Sequence, residues 1–292
     1  MFQKPKVFQV RRPSLTIWLT AVLLLVAAPV RGQQRPLITE DPEAIGAGRI
    51  LIETGLDWGH EQEFPASGLT GNLLRVPVMG ASFGVSSIAE VQIDGSFYDR
   101  LAVEERRDAP LSGALDFAGD TTSSVGDIVV ATKVRVLSEG PSRPALGVRF
   151  ATKLPNASNE SGLGLDTTDF FATLLIGKTV QSVRIVGNVG LGILGDPTRG
   201  DAQNDVLTYG LSVARALTDH AELVFELNGR IDTAEGDPPP GTETRGTLRI
   251  GARYTMGAGR VDAAMLIGTT SRDADIGVTV GYTHVFAAFT VP

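Results

Sequence analysis

The stretch GDIVVATKVRV, Gly126 to Val136, decides how this chain folds. Ile128, Val130, Thr132, Val134 and Val136 alternate with residues that include Lys133 and Arg135. A period of two puts the two sets on opposite faces of one strand. In a soluble sandwich the apolar face meets a core. In an outer-membrane barrel it meets lipid, and the charged face lines the interior.

The rest of the chain favours the barrel. Alternation recurs in twelve segments: 49–60, 72–81, 88–98, 126–137, 144–154, 168–177, 182–194, 205–215, 221–231, 246–256, 260–270 and 275–286. Most run about ten residues, the length a tilted barrel strand needs. Their outward sets are apolar, as in Ile50, Ile52, Thr54, Leu56 and Trp58, or Leu146, Val148, Phe150, Thr152 and Leu154. The sixth, DFFATLLIGK, is apolar on both faces and has no readable phase. The gaps between segments sort into long and short: 11, 27, 13, 10, 14 and 4 residues after odd segments, 6, 6, 4, 5 and 3 after even ones. Short periplasmic turns and longer external loops produce this pattern. A Greek-key sandwich has no reason to. The fold class expected is all-β, a membrane-spanning antiparallel up-and-down β-barrel of about 12 strands over 49–286, with a C-terminal tail at 287–292.

Residues 1–32 read as an export signal: basic residues from Lys4 to Arg12, the apolar run Leu15–Val30, and small residues before Gln33. An even strand number then puts both termini on the periplasmic side. Residues 33–48 form a periplasmic N-terminal segment that either hangs below the barrel or folds partly into it. Residues 1–32 hold five basic and no acidic residues, so their removal takes the formal charge from −7 to −12. Such a chain is a poor nucleic-acid binder. It has no cysteine, which excludes disulfides, cysteine-ligated zinc and a cysteine lipid anchor.

RPLITEDPEAIGAGRILIE (Arg35–Glu53), VGDIVVATKVRV, ALGVRFATKLPNAS and ADIGVTVGYTHVF (Ala274–Phe286) carry a resemblance. The chain resembles the phenol-degradation MetA-pathway outer-membrane proteins over about residues 35–286. The resemblance implies an outer-membrane barrel that passes hydrophobic or aromatic compounds, and it carries over no catalytic residues. The turn ASFGVSS (Ala81–Ser87) lacks that family's charged turn. The closing aromatic is Phe286 or Phe289, which leaves the register of the last strand open.

The inward faces hold the chemistry. They place Glu53 and Asp57 on the first strand, Glu90, Gln92 and Asp94 on the third, and Lys133 and Arg135 on the fourth. Arg149 and Lys153 follow on the fifth, Arg184 on the seventh, Glu222 and Glu226 on the ninth, and Arg249 and Arg253 on the tenth. The hairpin turn sets Lys133 opposite Arg149. Like charges so placed need a counter-charge, from third-strand carboxylates or a bound anion. Two readings stay open: a pore with a basic wall facing an acidic wall, or a closed lumen of paired charges.

Catalytic and metal chemistry finds little support. His60, His220 and His284 fall at an outer rim, a turn and a lower rim, too far apart for one site. The lone G-x-G in GNVGLGILGD lies within a strand, not before a helix. The expected function is a passive channel for small, hydrophobic or aromatic compounds, with no cofactor and no enzymatic activity. The alternatives are a closed structural or surface-interaction barrel and, behind it, a barrel enzyme. The partners implied are outer-membrane lipid and lipopolysaccharide, the barrel-assembly machinery of a Gram-negative-type bacterium, and a small-molecule solute.

Overall fold

The computed structural model describes residues 35–290. The predicted export signal lies outside the described residues. Fourteen strands form one antiparallel sheet: β1 (Arg49–Phe64), β2 (Leu69–Gly84), β3 (Ala89–Ser96), β4 (Asp99–Arg106), β5 (Thr121–Ser124), β6 (Ile128–Leu137) and β7 (Ala145–Leu154) make its first half. The second half is β8 (Asp169–Val180), β9 (Val183–Gly195), β10 (Gln203–Ala216), β11 (Ala221–Asp232), β12 (Arg245–Met256), β13 (Gly259–Gly268) and β14 (Ile276–Ala287). Strand β1 pairs with both β14 and β2, which closes the sheet. β3 with β4, and β5 with β6, are two halves of single staves, so the closed barrel has twelve staves.

Every predicted segment falls on a stave, and three boundaries change. β1 and β2 each run 16 residues, and only residues 65–68 join them. The predicted loop Asp99–Val125 contains β4 and β5, which leaves 107–120 as the loop proper. The last external connection widens to 269–275. The single short external gap is therefore the first, not the last.

The longer strands escaped the sequence reading because their alternation inverts partway. Leu51, Glu53, Asp57 and Gly59 of β1 face inward, but beyond Glu61, whose φ is +53°, Gln62 and Phe64 do. On β2 the inward set changes between Val78 and Arg75, across Pro77. Proline has no N–H for the ladder, and the neighbouring stave breaks opposite it at Phe97–Tyr98. The next stave breaks beside that, where the Gly126 N–H donates to Ser96 O at 2.9 Å. Below these bulges the wall is apolar outside and charged inside. Above them Leu69, Leu73 and Leu101 are buried with Phe64, Val103, Leu115, Phe117 and Leu163, while Glu63, Glu104 and Glu105 face out. A bulge adds one residue and so exchanges the two faces. The wall thus changes from an apolar outer face to a charged one at a single level on adjacent staves.

The unphased sixth segment resolves as well. Phe170, Leu174 and Ile176 of β8 are 51%, 50% and 45% exposed on the outside. Asp169 and Leu175 are buried inside. Asp169 sets the phase through an ion pair to Lys153 at 2.9 Å. At the other end, Phe286 lies within β14 opposite Ile50, and the Ala288 and Phe289 N–H groups both donate to Gly48 O.

Candidate functional site

Of the two places the sequence allowed for the N-terminal segment, residues 35–48 take the interior rather than the space below the barrel. They make a circuit of the inner wall. Arg35 reaches Asp57 at 3.4 Å and Asp262 at 3.8 Å. Leu37 packs on Ala214 and Val224. The backbone N–H groups of Ile38 and Thr39 donate to the Glu226 carboxylate. Asp41 pairs with Arg184 at 2.6 Å, and Glu43 with Arg135 at 2.6 Å. The Ile45 N–H closes the circuit on Glu90 at 2.7 Å.

The wall is carved for this belt. Gly55 and Gly281 face one another across β1 and β14, and a Cβ on either would collide with the Arg35 guanidinium. A Cβ on Gly210 would lie 2.7 Å from Thr39 Oγ1. One on Gly177 would lie 3.0 Å from Pro42 and collide with Arg184. These inward glycines leave a groove of backbone depth, and the belt lies in it.

The predicted interior residues occur inside, but not as a basic wall facing an acidic one. Cations and carboxylates interleave, and the belt supplies part of the acid. Lys133, with no exposed surface, sits 3.2 Å from Glu40 and 3.0 Å from Glu90. Arg149, its cross-strand neighbour, lies 3.2 Å from Glu40, 3.7 Å from Asp94 and 2.8 Å from Gln92 Oε1. Arg249 pairs with Glu226 at 2.9 Å, and Arg253 with Glu222 at 3.8 Å. Glu53 accepts from Thr283, and Asp57 from Thr279. Lys153 stands apart with Asp127 and Asp169. The counter-charge required by Lys133 and Arg149 thus comes partly from the third stave, as expected, and partly from Glu40. The acid-rich run TEDPE (Thr39–Glu43), beside so many basic strand positions, was the available signal for the rest.

Among the described residues, the barrel encloses at least two spaces. The larger, about 610 Å³, is lined by Ile38, Phe171, Arg149, Arg230, Arg245 and Arg249 among others. The second, about 360 Å³, lies against Arg35, Asp57, Arg75 and Asp99. Both touch Asp94 and Val129. Ile38 is 55% exposed and points into open space from the belt. The three histidines are not brought together. His60 bonds Asn72 at 2.6 Å, His284 packs between Tyr282 and Phe286, and His220 lies by Tyr254.

No protein-family model matches the chain, and no curated protein matches it in sequence. Solved structures do match in shape. An outer-membrane channel from Pseudomonas putida F1 aligns at a TM-score of 0.61 and 14% identity, over 84% of this chain and 98% of that one. The translocator domain of the autotransporter NalP from Neisseria meningitidis gives 0.47 at 15% identity, over 82% and 89%. A mutant of TodX, a monoaromatic hydrocarbon channel, gives 0.40 at 9% identity, over 85% and 93%. At these identities the likeness is one of fold. The chain has the closed antiparallel barrel fold of Gram-negative outer-membrane proteins.

Proposed function

We propose that the protein is an outer-membrane channel for small solutes, narrowed on its periplasmic side by the belt of residues 35–48. The observation that carries this reading is the space of about 610 Å³ inside a closed barrel, with belt residues Leu37–Glu40 on its wall. Its lining mixes Ile38, Phe171 and Val129 with charged groups, which suits compounds with an apolar body. The resemblance of Arg35–Glu53 and Ala274–Phe286 to the MetA-pathway proteins supports hydrophobic or aromatic solutes. The export signal read from residues 1–32 supports an outer-membrane location, with lipid and lipopolysaccharide around the apolar outer face.

A second reading is favoured by the belt and by the apolar cluster of Leu69, Leu73 and Leu101 with Leu115, Phe117 and Leu163 above it. Here both ends are filled and the barrel is structural. Solute flux separates the two. Purified protein in liposomes is expected to pass phenol above the leak of protein-free liposomes, and a variant lacking residues 35–46 is expected to pass it faster. Absence of flux from both would overturn the channel and leave the structural barrel.

A further inference from the structure

Two pairs of cations meet across the ladder inside this barrel, and only one pair has its counter-charge. Lys133 lies opposite Arg149, with Glu40 and Glu90 within 3.2 Å of the pair. Arg230 of β11 lies opposite Arg245 of β12 in the same manner. Among the described residues, no carboxylate comes within ion-pair distance of either arginine. Arg230 donates from Nε to Glu243 O at 2.9 Å and from Nη2 to Gly241 O at 2.6 Å. Arg245 donates from Nη1 to Arg272 O at 2.6 Å and from Nη2 to Glu63 O at 3.0 Å. These bonds leave Nη1 of Arg230 and Nε of Arg245 unused.

The carboxylates in the neighbourhood, Asp273 and Glu243, hold other partners through one oxygen each, and the second oxygen of Glu243 is buried without a partner. Asp273 accepts from the Gly246 N–H at 2.9 Å and the Thr270 hydroxyl at 2.7 Å. Glu243 accepts from the Gly241 N–H at 3.0 Å and faces Arg272 at 3.7 Å. Like charges directly opposite one another are unfavourable without a counter-ion. The first pair shows that this barrel provides one where it needs a closed network. The second pair opens on the space of about 610 Å³, whose wall also carries Ile38, Ala151 and Phe171.

We infer that Arg230 and Arg245 together bind the carboxylate of a small organic anion whose apolar body lies toward Phe171 and Ile38. Arginine forks match carboxylates in shape as well as charge. The site rests on the channel reading and names its solute class: organic acids ahead of neutral compounds of the same size. The bonds from these arginines to loop carbonyls also hold the loops 233–244 and 269–275, so the test must separate charge from anchoring.

Benzoate and phenol flux into liposomes, each taken above the leak into protein-free liposomes, makes that separation. Wild-type protein is expected to favour benzoate. In R230Q/R245Q the benzoate-to-phenol ratio is expected to fall about tenfold, the lower range for focusing by local charge. R230K/R245K, which keeps the charge, is expected to retain most of the ratio. An unchanged ratio in the Gln variant overturns the site. So does a Lys variant that loses the ratio as fully as the Gln variant, which would make the pair a loop anchor. Heat-dependent mobility on SDS gels in each variant shows that the barrel has assembled. Absence of flux for both solutes in wild type would instead remove the channel reading itself.

Discussion

Lys133 is a charged side chain with no exposed surface, in a stave whose outer face carries Ile128, Val130 and Val136. It persists there because Glu40 and Glu90 both reach it. Removing one partner of such a group leaves buried charge uncompensated, at a cost of about 3–5 kcal/mol. Lys133→Met is therefore expected to destabilise the barrel by about that much in urea unfolding from vesicles, with part recovered in K133M/E90Q. Equal stability of wild type and the single variant would mean the pair is not dry. In the short turn between β6 and β7, Glu139 is subject to burial, which disfavours its charge. The Thr179 N–H, Lys178 and Arg184 outweigh that and pull it to about 2 from the usual 4.5. A carboxylate depressed in this way stabilises fully above about pH 4.5, and the contribution disappears as pH falls through about 2. Glu139→Gln is expected to lower stability at pH 7 and to flatten its decline between those limits. The same acid loss in wild type and variant would count against it.

At the scale of the element, the belt and the bulges are two answers to one problem. A strand with a polar inner face needs partners for that face, and the belt supplies Glu40, Asp41 and Glu43 to Lys133, Arg149, Arg184 and Arg135. The glycine groove makes this packing possible, so filling it should expel the belt. The chain has no cysteine, which makes Ile38→Cys a single clean reporter. In an I38C background, Gly281→Val is expected to release Arg35 and to speed labelling of Cys by a thiol reagent applied from the periplasmic side. Labelling that does not change would show that the belt holds without its Arg35 end. Above the bulges the arrangement is reversed: the outer face carries Glu63, Glu104 and Glu105, and the inner face is filled by Leu115, Phe117 and Leu163 from the loops.

At the scale of the molecule, closure makes the site. Arg230 and Arg245 are neighbours by register, but they share a space with Phe171 and Ile38 only because β1 and β14 join. Much of this was legible beforehand. The alternation in GDIVVATKVRV, repeated over twelve segments, specified strand number, inner and outer faces, and the meeting of Lys133 with Arg149. It failed where the period slipped, at Glu61, Pro77 and Phe97, because a bulge ends a two-residue pattern without ending the strand. It gave no phase to β8, since neither face of that segment is polar enough to choose.

What the sequence determined by itself is whatever depends on spacing along the chain: the barrel, its strands and the side on which each charge lies. Pairing depends on distance through space, and only the tertiary structure decided it. Glu40 has no local relation to Lys133, 93 residues away, or to Arg149. The closed wall brings all three together, and the belt then neutralises one cation pair and leaves Arg230 and Arg245 on the wall of the larger interior space.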